Sequence, residues 1–200
     1  MGADALTLTR IAEAHVPLAL APNARLYGFR PSDGGPDHFA VVVGESARAD
    51  PVLVRAHSEC FTGDLLGSLK CDCGPQLRTA LAQISAHGSG VLLYLAQEGR
   101  GIGMANKLRA YSLQDEGFDT VDANHRLGFE DDERDFKVAA LMLRSLGFSS
   151  VRVMTNNPRK LAAFERHGFT VAGREPLAVG QTAQNVDYLK TKAQRSGHLL

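Results

Sequence analysis

The chain has 200 residues, of which 44% are hydrophobic, and its 22 acidic residues balance its 22 lysines and arginines. This length suits one domain with a substantial core, and the balanced charge gives no reason to expect binding to nucleic acid or to a membrane surface. Asp4, Arg10 and Glu13 interrupt the N-terminal stretch, so we expect no secretory leader. We therefore expect one soluble, cytoplasmic domain over residues 1–200, with a less ordered tail from about residue 180.

The first half of the chain is predicted to be rich in β-strands. Strands are predicted over residues 24–29, 38–43 and 52–57, where β-branched and apolar residues cluster. The polar, glycine-rich turn over residues 31–36 separates the first two strands.

From Gly74 onward, helices and strands are predicted to alternate. Pro75 and Pro158 suit the first position of a helix, and Gly88 is typical of the residue that follows one. The patterns predict helices over 75–86, 104–116, 133–146 and 158–167, and strands over 91–95, 151–154 and 169–172. We predict an α/β fold, with a mixed sheet flanked by helices and a β-rich N-terminal part followed by βαβ-type units.

All three cysteines, Cys60, Cys71 and Cys73, fall within fourteen residues. Three thiolates without a fourth protein ligand are typical of a catalytic zinc ion, whose fourth position is open to water. Buried reduced cysteines and an iron–sulfur cluster with an outside ligand are the alternatives. The odd, clustered count argues against a disulfide framework. The sequence therefore predicts a metal site, with zinc as the favoured ion.

Several polar segments around the predicted strands are weaker indications of a site. The turn from Glu98 to Gly103 follows a buried strand and precedes a helix, a context in which backbone N–H groups bind phosphate, and Arg100 favours that interpretation over a simple tight turn. The segment 155–160 lies at a strand-to-helix junction, where α/β proteins bind ligands. The acidic segment 131–135 is compatible with a solvated helix start, and Tyr111 with a core position.

Residues His57 and Glu59 are similar to the His-x-Glu of zinc nucleobase deaminases. The Pro-Cys-x-x-Cys segment that accompanies it in those enzymes is missing, because Cys71 and Cys73 are separated by a single residue. Histidine beside a strand is more often structural than a ligand, whereas the Glu59 carboxylate could hold a base or a hydroxyl near the metal.

Taken together, these segments closely resemble the GTP cyclohydrolase II family, whose members open the guanine ring at the first step of riboflavin synthesis. The resemblance is collinear from about residue 55 to residue 160. It rests on Arg55-Ala-His-Ser-Glu-Cys60, Thr62-Gly-Asp64, Cys71-Asp-Cys-Gly74, Gln76, Gln97-Glu-Gly-Arg-Gly-Ile-Gly103, Asn106-Lys-Leu-Arg-Ala-Tyr-Ser-Leu-Gln-Asp115, Asp132-Glu-Arg-Asp135, Thr155-Asn-Asn-Pro158 and Lys160. Lys70, where the family commonly has arginine, and Ala56, where it has a larger aliphatic residue, are slight departures.

The resemblance implies roles for individual residues. It implies zinc ligation by Cys60, Cys71 and Cys73. Asp132 takes the place of the family's base, Arg134 that of its proposed nucleophile toward the α-phosphorus, and Tyr111 that of its ring-opening tyrosine. GTP contacts are implied at Arg55, Ala56, His57, Ser58, Glu59, Gln76, Glu98, Gly99, Arg100, Thr120, Thr155 and Lys160. The resemblance also implies Mg²⁺ with the triphosphate and a homodimer.

The implied reaction is zinc-dependent hydrolysis of GTP with release of formate and pyrophosphate. Three rivals remain: another zinc-dependent purine hydrolase such as a deaminase, a family variant that retains the formyl group, and a silent zinc or nucleotide-binding scaffold. The presence of Tyr111 favours the complete reaction. The role of Arg134 stays open, because a guanidinium that remains protonated stabilises phosphate charge more readily than it attacks phosphorus.

Overall fold

The structure is a computed structural model that describes residues 6–44, 51–130 and 132–199. Its strands are β1 (Leu8–His15), β2 (Ala24–Pro31), β3 (His38–Val43), β4 (Val52–Ser58), β5 (Gly90–Leu95), β6 (Ser150–Met154) and β7 (Thr170–Glu175). Its helices are α1 (Cys73–His87), α2 (Gly103–Asp115), α3 (Thr120–Arg126), α4 (Lys137–Ser145), α5 (Pro158–Arg166) and α6 (Val186–Ser196).

The seven strands form one mixed sheet in the order β1-β2-β3-β5-β4-β6-β7. The strands β1, β2, β3 and β5 pair antiparallel, whereas β5, β4, β6 and β7 pair parallel. The predicted fold class, a mixed sheet with a β-rich N-terminal part and later βαβ units, is confirmed. In such a sheet, ligands bind beyond the carboxyl ends of the parallel strands. A ligand site is therefore expected at the edge formed by Ser58, Leu95 and Met154.

Helices cover both faces of the parallel part of the sheet. Val54 and Ala56 of β4 face the larger core, which α4 and α5 complete with residues such as Met142 and Phe164. Leu53 faces the smaller core with Ile84 of α1. Because side chains alternate along a strand, Arg55 and His57 share the α1 face of β4 with Leu53. Arg55 and His57 also lie in the C-terminal half of β4, near the carboxyl edge of the sheet.

Four elements differ from the sequence prediction or were missed by it. The helix predicted to start at residue 133 begins at Lys137, because Asp132 accepts hydrogen bonds from the backbone and side chain of Arg134. Strand β1 and helix α3 were not predicted. Helix α6 occupies the tail that was expected to be less ordered. Asp131, part of the acidic segment, lies outside the described residues.

The described part of the chain contains no helix both long and apolar enough to cross a bilayer. The organisation as a single domain stays a prediction.

Candidate active site

A cavity opens beyond the carboxyl ends of β4, β5 and β6, between α1, α2 and α6. The predicted site residues converge on it, although they come from separate parts of the chain. Only Ala56 and Asp132 among them are not part of its lining. The others line it: Arg55, His57, Ser58, Glu59, Cys60, Cys71, Cys73, Gln76, Glu98, Gly99, Arg100, Tyr111, Thr120, Arg134, Thr155 and Lys160.

The three cysteines form a compact group of sulfur atoms. Cys60 follows β4 and Cys73 begins α1, and the three Sγ atoms lie within 4.8 Å of one another. The Sγ atoms of Cys60 and Cys71 are 3.7 Å apart. This is too long for a disulfide and close to the edge of about 3.8 Å expected for a tetrahedron with zinc–sulfur bonds of about 2.3 Å. The geometry of the cluster therefore fits zinc.

The backbone of the turn over residues 61–65 closes around these sulfurs. A Cβ atom added at Gly63 would lie 2.7 Å from the Cys71 Sγ and 3.1 Å from the Cys60 Sγ. Real carbon–sulfur contacts are longer than this, so a side chain at this position would push the cluster apart. The close approach of the sulfurs therefore explains why the middle residue of Thr62-Gly-Asp64 is glycine.

The three thiols cannot all ionise easily in this arrangement. Hydrogen bonds from the other two thiols lower the pKa of Cys60. The same hydrogen bonding to Cys60 raises the pKa of Cys71 to about 11, and it raises the pKa of Cys73. Ionisation of all three requires a compensating positive charge, and thiolates are soft ligands suited to Zn²⁺.

Asp64 supports the cysteine cluster from behind. Its Oδ2 accepts hydrogen bonds from the Cys60 backbone N–H and the Tyr94 hydroxyl, each at 3.0 Å. The Nε2 of His57 lies 3.0 Å from both carboxylate oxygens. Burial lowers the pKa of His57, so its neutral ring donates from Nε2, and the buried Nδ1 has no hydrogen-bond partner within the described chain. His57 is therefore a structural partner of Asp64, and its ring retains one unpaired, buried acceptor.

We expect Asp64→Asn to weaken zinc retention by about tenfold to 100-fold, the loss typical of outer partners of metal ligands. Asparagine replaces one accepting oxygen with a donor, which then faces the donors of Cys60, Tyr94 and His57. Zinc affinity is measured by competition with a chromogenic chelator. Asp115→Asn is the matched control, because the Asp115 side chain is 70% exposed. Equal zinc affinity in Asp64→Asn and the wild type would contradict this role.

Lys107 is a site residue to which the sequence analysis assigned no role. Its Nζ donates to the Cys60 Sγ at 3.1 Å and to the Glu98 Oε1 at 2.8 Å. The other oxygen of Glu98 accepts from the Phe61 backbone N–H. Although burial opposes its charge, the hydrogen bond with Glu98 raises the pKa of Lys107, so a fixed cation lies against the thiolate. Lys107 lies within residues 106–115, which resemble the family, and this resemblance is the sequence feature that could have indicated its role.

The backbone around Glu98 adopts an unusual conformation. Arg100 has φ of 60°, a left-handed value that is rare outside glycine, and it lies between Gly99 and Gly101. A side chain at Gly101 would meet Glu133 at 3.0 Å. Strained backbone of this kind persists where the surroundings impose it, often at ligand sites. The turn therefore places Arg100 among the residues that line the cavity.

Asp132 and Arg134 form a two-pronged ion pair. The Nε and NH2 atoms of Arg134 each donate to a different Asp132 oxygen at 2.6 Å, and NH1 donates to the Ser58 hydroxyl at 3.3 Å. Burial alone would raise the pKa of Asp132, but the hydrogen bonds from Arg134 outweigh it and lower that pKa. Asp132 is therefore ionised at neutral pH and fixes the guanidinium plane, although it does not itself line the cavity.

Two buried cations lie deep in the cavity with few acidic partners. Arg55 donates to the Met154 carbonyl and to the Gln76 side chain, and its buried Nε has no partner among the described residues. Lys160 donates to the Ala56 carbonyl at 2.6 Å. Burial lowers the pKa of Arg55 to about 10, and burial with the neighbouring arginines lowers that of Lys160. Uncompensated positive charge of this kind favours an anionic ligand.

Tyr111 is a half-buried cavity residue and not a core residue. Burial raises the pKa of its phenol to about 12, so the hydroxyl is protonated at neutral pH. The Nζ atoms of Lys70 and Lys107 lie 5.2 Å and 5.8 Å from the centre of its ring. Tyr111 can therefore donate a proton or a hydrogen bond close to the cysteines.

The remaining predicted residues also line the cavity. Burial and the nearby carboxylates of Glu98 and Asp64 raise the pKa of Glu59. The Thr155 hydroxyl accepts from the Asn157 backbone N–H at 3.0 Å and is buried, and Thr120 begins α3. The sequence analysis assigned no role to several other lining residues, namely Lys107, Asn124, Asn156, Tyr188, Lys192 and His198. The last three come from a tail that carried no recognised motif.

The chain is similar to one known family and to proteins of that family. A model of the GTP cyclohydrolase II family matches residues 9–176. The GTP cyclohydrolase-2 of Azospirillum brasilense is 62% identical over 193 residues, which are 96% of this chain and 50% of that protein. The GTP cyclohydrolase-2 of Shigella boydii is 51% identical over 195 residues, which are 98% of this chain and 99% of that protein. The chain therefore spans half of the first relative and nearly all of the second.

A solved structure also resembles the chain. It is a two-domain 3,4-dihydroxy-2-butanone 4-phosphate synthase from A. baumannii, with 23% identity and a TM-score of 0.46. The similarity covers 86% of this chain and 40% of that one.

Proposed function

Because the chain belongs to the GTP cyclohydrolase II family, we propose that it hydrolyses GTP, opening the imidazole ring of guanine and releasing formate and pyrophosphate. The product would be a diamino-ribosylamino-pyrimidinone phosphate, and the reaction would be the first step of riboflavin biosynthesis. One observation carries the proposal: a single cavity is lined by three clustered cysteines and by the cations Arg55, Arg100, Arg134 and Lys160. In a purine triphosphate, the purine ring would lie near the metal held by the cysteines, and the triphosphate would lie near the cations.

The cysteines Cys60, Cys71 and Cys73 would hold one zinc ion, as their spacing and soft donor atoms support. When bound, zinc supplies Lewis acidity and lowers the pKa of a coordinated water to about 7. Lys107, hydrogen-bonded to Cys60, would offset the charge of three thiolates. Mg²⁺ would accompany the triphosphate and neutralise part of its charge.

Tyr111 would act at the purine ring. Its protonated hydroxyl would donate to a ring nitrogen next to carbon 8 as the bond to that carbon breaks, which is general acid assistance. Glu59, whose raised pKa reflects burial beside other carboxylates, would hold a polar edge of the base. His57 would accept a hydrogen bond at its unpaired Nδ1.

Asp132 and Arg134 would act at the α-phosphorus, where pyrophosphate leaves. The ion pair favours a protonated guanidinium that stabilises phosphate charge while water attacks. The rival route is attack by Arg134 itself, with Asp132 taking its proton and a phosphoramidate forming. Rapid quenching of a single turnover separates them: a guanylylated enzyme supports the covalent route, and its absence while pyrophosphate appears supports the electrostatic one.

We expect Asp132→Asn to slow pyrophosphate release by about 100-fold, because the neutral amide no longer holds the Arg134 guanidinium by two charged hydrogen bonds. Zinc content should stay unchanged. Asp135→Asn is the matched control on the same loop, since asparagine retains the hydrogen bond that Asp135 accepts from the Lys137 backbone N–H. Pyrophosphate release at the wild-type rate in Asp132→Asn would remove this residue from the mechanism.

The proposed function is tested by incubating the zinc-loaded protein with GTP and Mg²⁺ and assaying formate and pyrophosphate together. Equal amounts of both products support it. Ammonia in place of formate would indicate a deaminase, and pyrophosphate with a retained formyl group would indicate the variant reaction. Zinc binding without turnover would indicate a scaffold.

We also propose that the protein is a homodimer in the cytoplasm, as the family resemblance implies. Light scattering at catalytic concentrations tests the dimer, and a monomer mass with full turnover would refute it.

A further inference from the structure

The C-terminal segment, residues 177–199, forms one wall of the cavity. Tyr188, Lys192 and His198 line it together with the cysteines. None of the three lies within residues 9–176, the part that matches the family model. The C-terminal segment thus adds to the site three side chains that lie outside the match to the family model.

Helix α6 of this segment is attached to the loop that carries Cys71 and Cys73. The Lys192 Nζ donates to the Asp72 Oδ1 at 2.8 Å, and the two side chains are 10% and 2% exposed. Asp72 lies between Cys71 and Cys73, and its other oxygen accepts from Gln76. Removing one partner of a buried ion pair strongly destabilises the fold, because the other charge is left buried without compensation. The position of α6 is therefore tied to that of the metal loop.

Two further contacts fasten the segment around the cavity. The Leu199 backbone N–H donates to the Asn156 carbonyl at 2.8 Å, directly after His198. Arg195 is paired with Asp119 and with Asp122, the latter at 3.0 Å, so α6 is also attached to α3. Anchors on both sides of His198 hold its ring in the cavity wall.

His198 lies within a group of positive charges that come from four different parts of the chain. Arg100 belongs to the turn before α2, Arg134 to the loop before α4, Lys160 to α5, and Lys192 to its own segment. Burial and then these four charges lower the pKa of His198 to about 3. The free protein therefore holds a neutral imidazole within this group of basic side chains.

We propose that His198 is a phosphate-contacting residue, which the C-terminal segment holds against Arg100, Arg134 and Lys160 to complete a site for the polyphosphate chain of the substrate. This inference rests on the proposed function in taking that chain to be the triphosphate of GTP. A bound polyanion cancels the surrounding positive charge. The imidazole then takes up a proton and donates a charged hydrogen bond to a phosphate oxygen.

The test uses zinc-loaded protein and two unreactive probes, inorganic tripolyphosphate and guanosine. In His198→Gln and His198→Ala, we expect the affinity for tripolyphosphate to fall by about tenfold or more, the loss of one charged hydrogen bond. Guanosine affinity and zinc content should not change. His15→Gln is the matched control, because His15 is exposed on β1. Unchanged tripolyphosphate affinity in both variants, or an equal loss for guanosine, would overturn the proposal.

Proton uptake gives a second readout that a purely structural role would not move. Calorimetry of tripolyphosphate binding in buffers of different ionisation enthalpy should show greater proton uptake in the wild type than in His198→Gln. The difference in proton uptake should be larger at pH 6 than at pH 8, because a histidine paired with phosphate is protonated more fully at pH 6. Equal uptake would refute protonation of His198. Neither probe requires turnover, so failure here is distinct from failure to release formate from GTP, which would instead refute the proposed function.

Discussion

Cys60→Ser is expected to abolish metal binding and ring opening together, with formate release reduced by well over about 100-fold, the upper limit for residues that only support a ligand. A serine hydroxyl is not ionised at neutral pH and is a harder donor than a thiolate, so it is a poor zinc ligand. The Cys60 Sγ also accepts from Lys107, so the substitution leaves that cation without its thiolate. Zinc per chain is measured by atomic emission after dialysis.

Two controls separate metal loss from unfolding. Ser112→Ala, on the exposed side of α2, should retain both zinc and turnover. Chelation of the wild type should remove activity while the far-ultraviolet circular dichroism stays native, and added zinc should restore turnover. Loss of the fold on chelation would mean that the metal is structural. Full turnover in Cys60→Ser would show that this sulfur is not a ligand.

Tyr111→Phe is expected to separate the two products. Formate release should fall by about 100-fold or more, since the phenylalanine ring keeps the packing but has no proton to donate. Pyrophosphate release should continue, because Arg134, Asp132 and Lys160 are untouched. The raised pKa of Tyr111 sets the direction of the effect: the hydroxyl acts as a donor across the neutral range. Formate and pyrophosphate are assayed in the same reaction.

Tyr27→Phe is the matched control, since Tyr27 lies on β2 against Arg10 and away from the cavity. Both products should form at the wild-type rate in this variant. If Tyr111→Phe slowed both products equally, the division of roles between Tyr111 and the ion pair of Asp132 with Arg134 would be wrong.

Local patterns predicted the elements that build the sheet next to the site. The apolar run of β5 and the clustered apolar and β-branched residues of β3 were recognised because burial in a sheet leaves a direct pattern in the sequence. Strand β1 was missed because it is an edge strand whose residues are almost all exposed. Helix α4 begins at Lys137 because the ion pair of Asp132 with Arg134 competes with helix formation. Such competition depends on side-chain geometry that periodicity does not report.

The sequence by itself determined the chemistry of the donors: three thiols with two spacings, a glycine-rich turn with one arginine, and the stretches that resemble one enzyme family. It did so because ligand type, glycine placement and motif order are local properties. The tertiary structure alone decided which groups meet. It paired Lys107 with Cys60, brought Tyr94 to Asp64, and brought Lys192 to Asp72 across 120 residues of chain. Contacts at such separations depend on how the sheet and helices pack, and no local pattern encodes them.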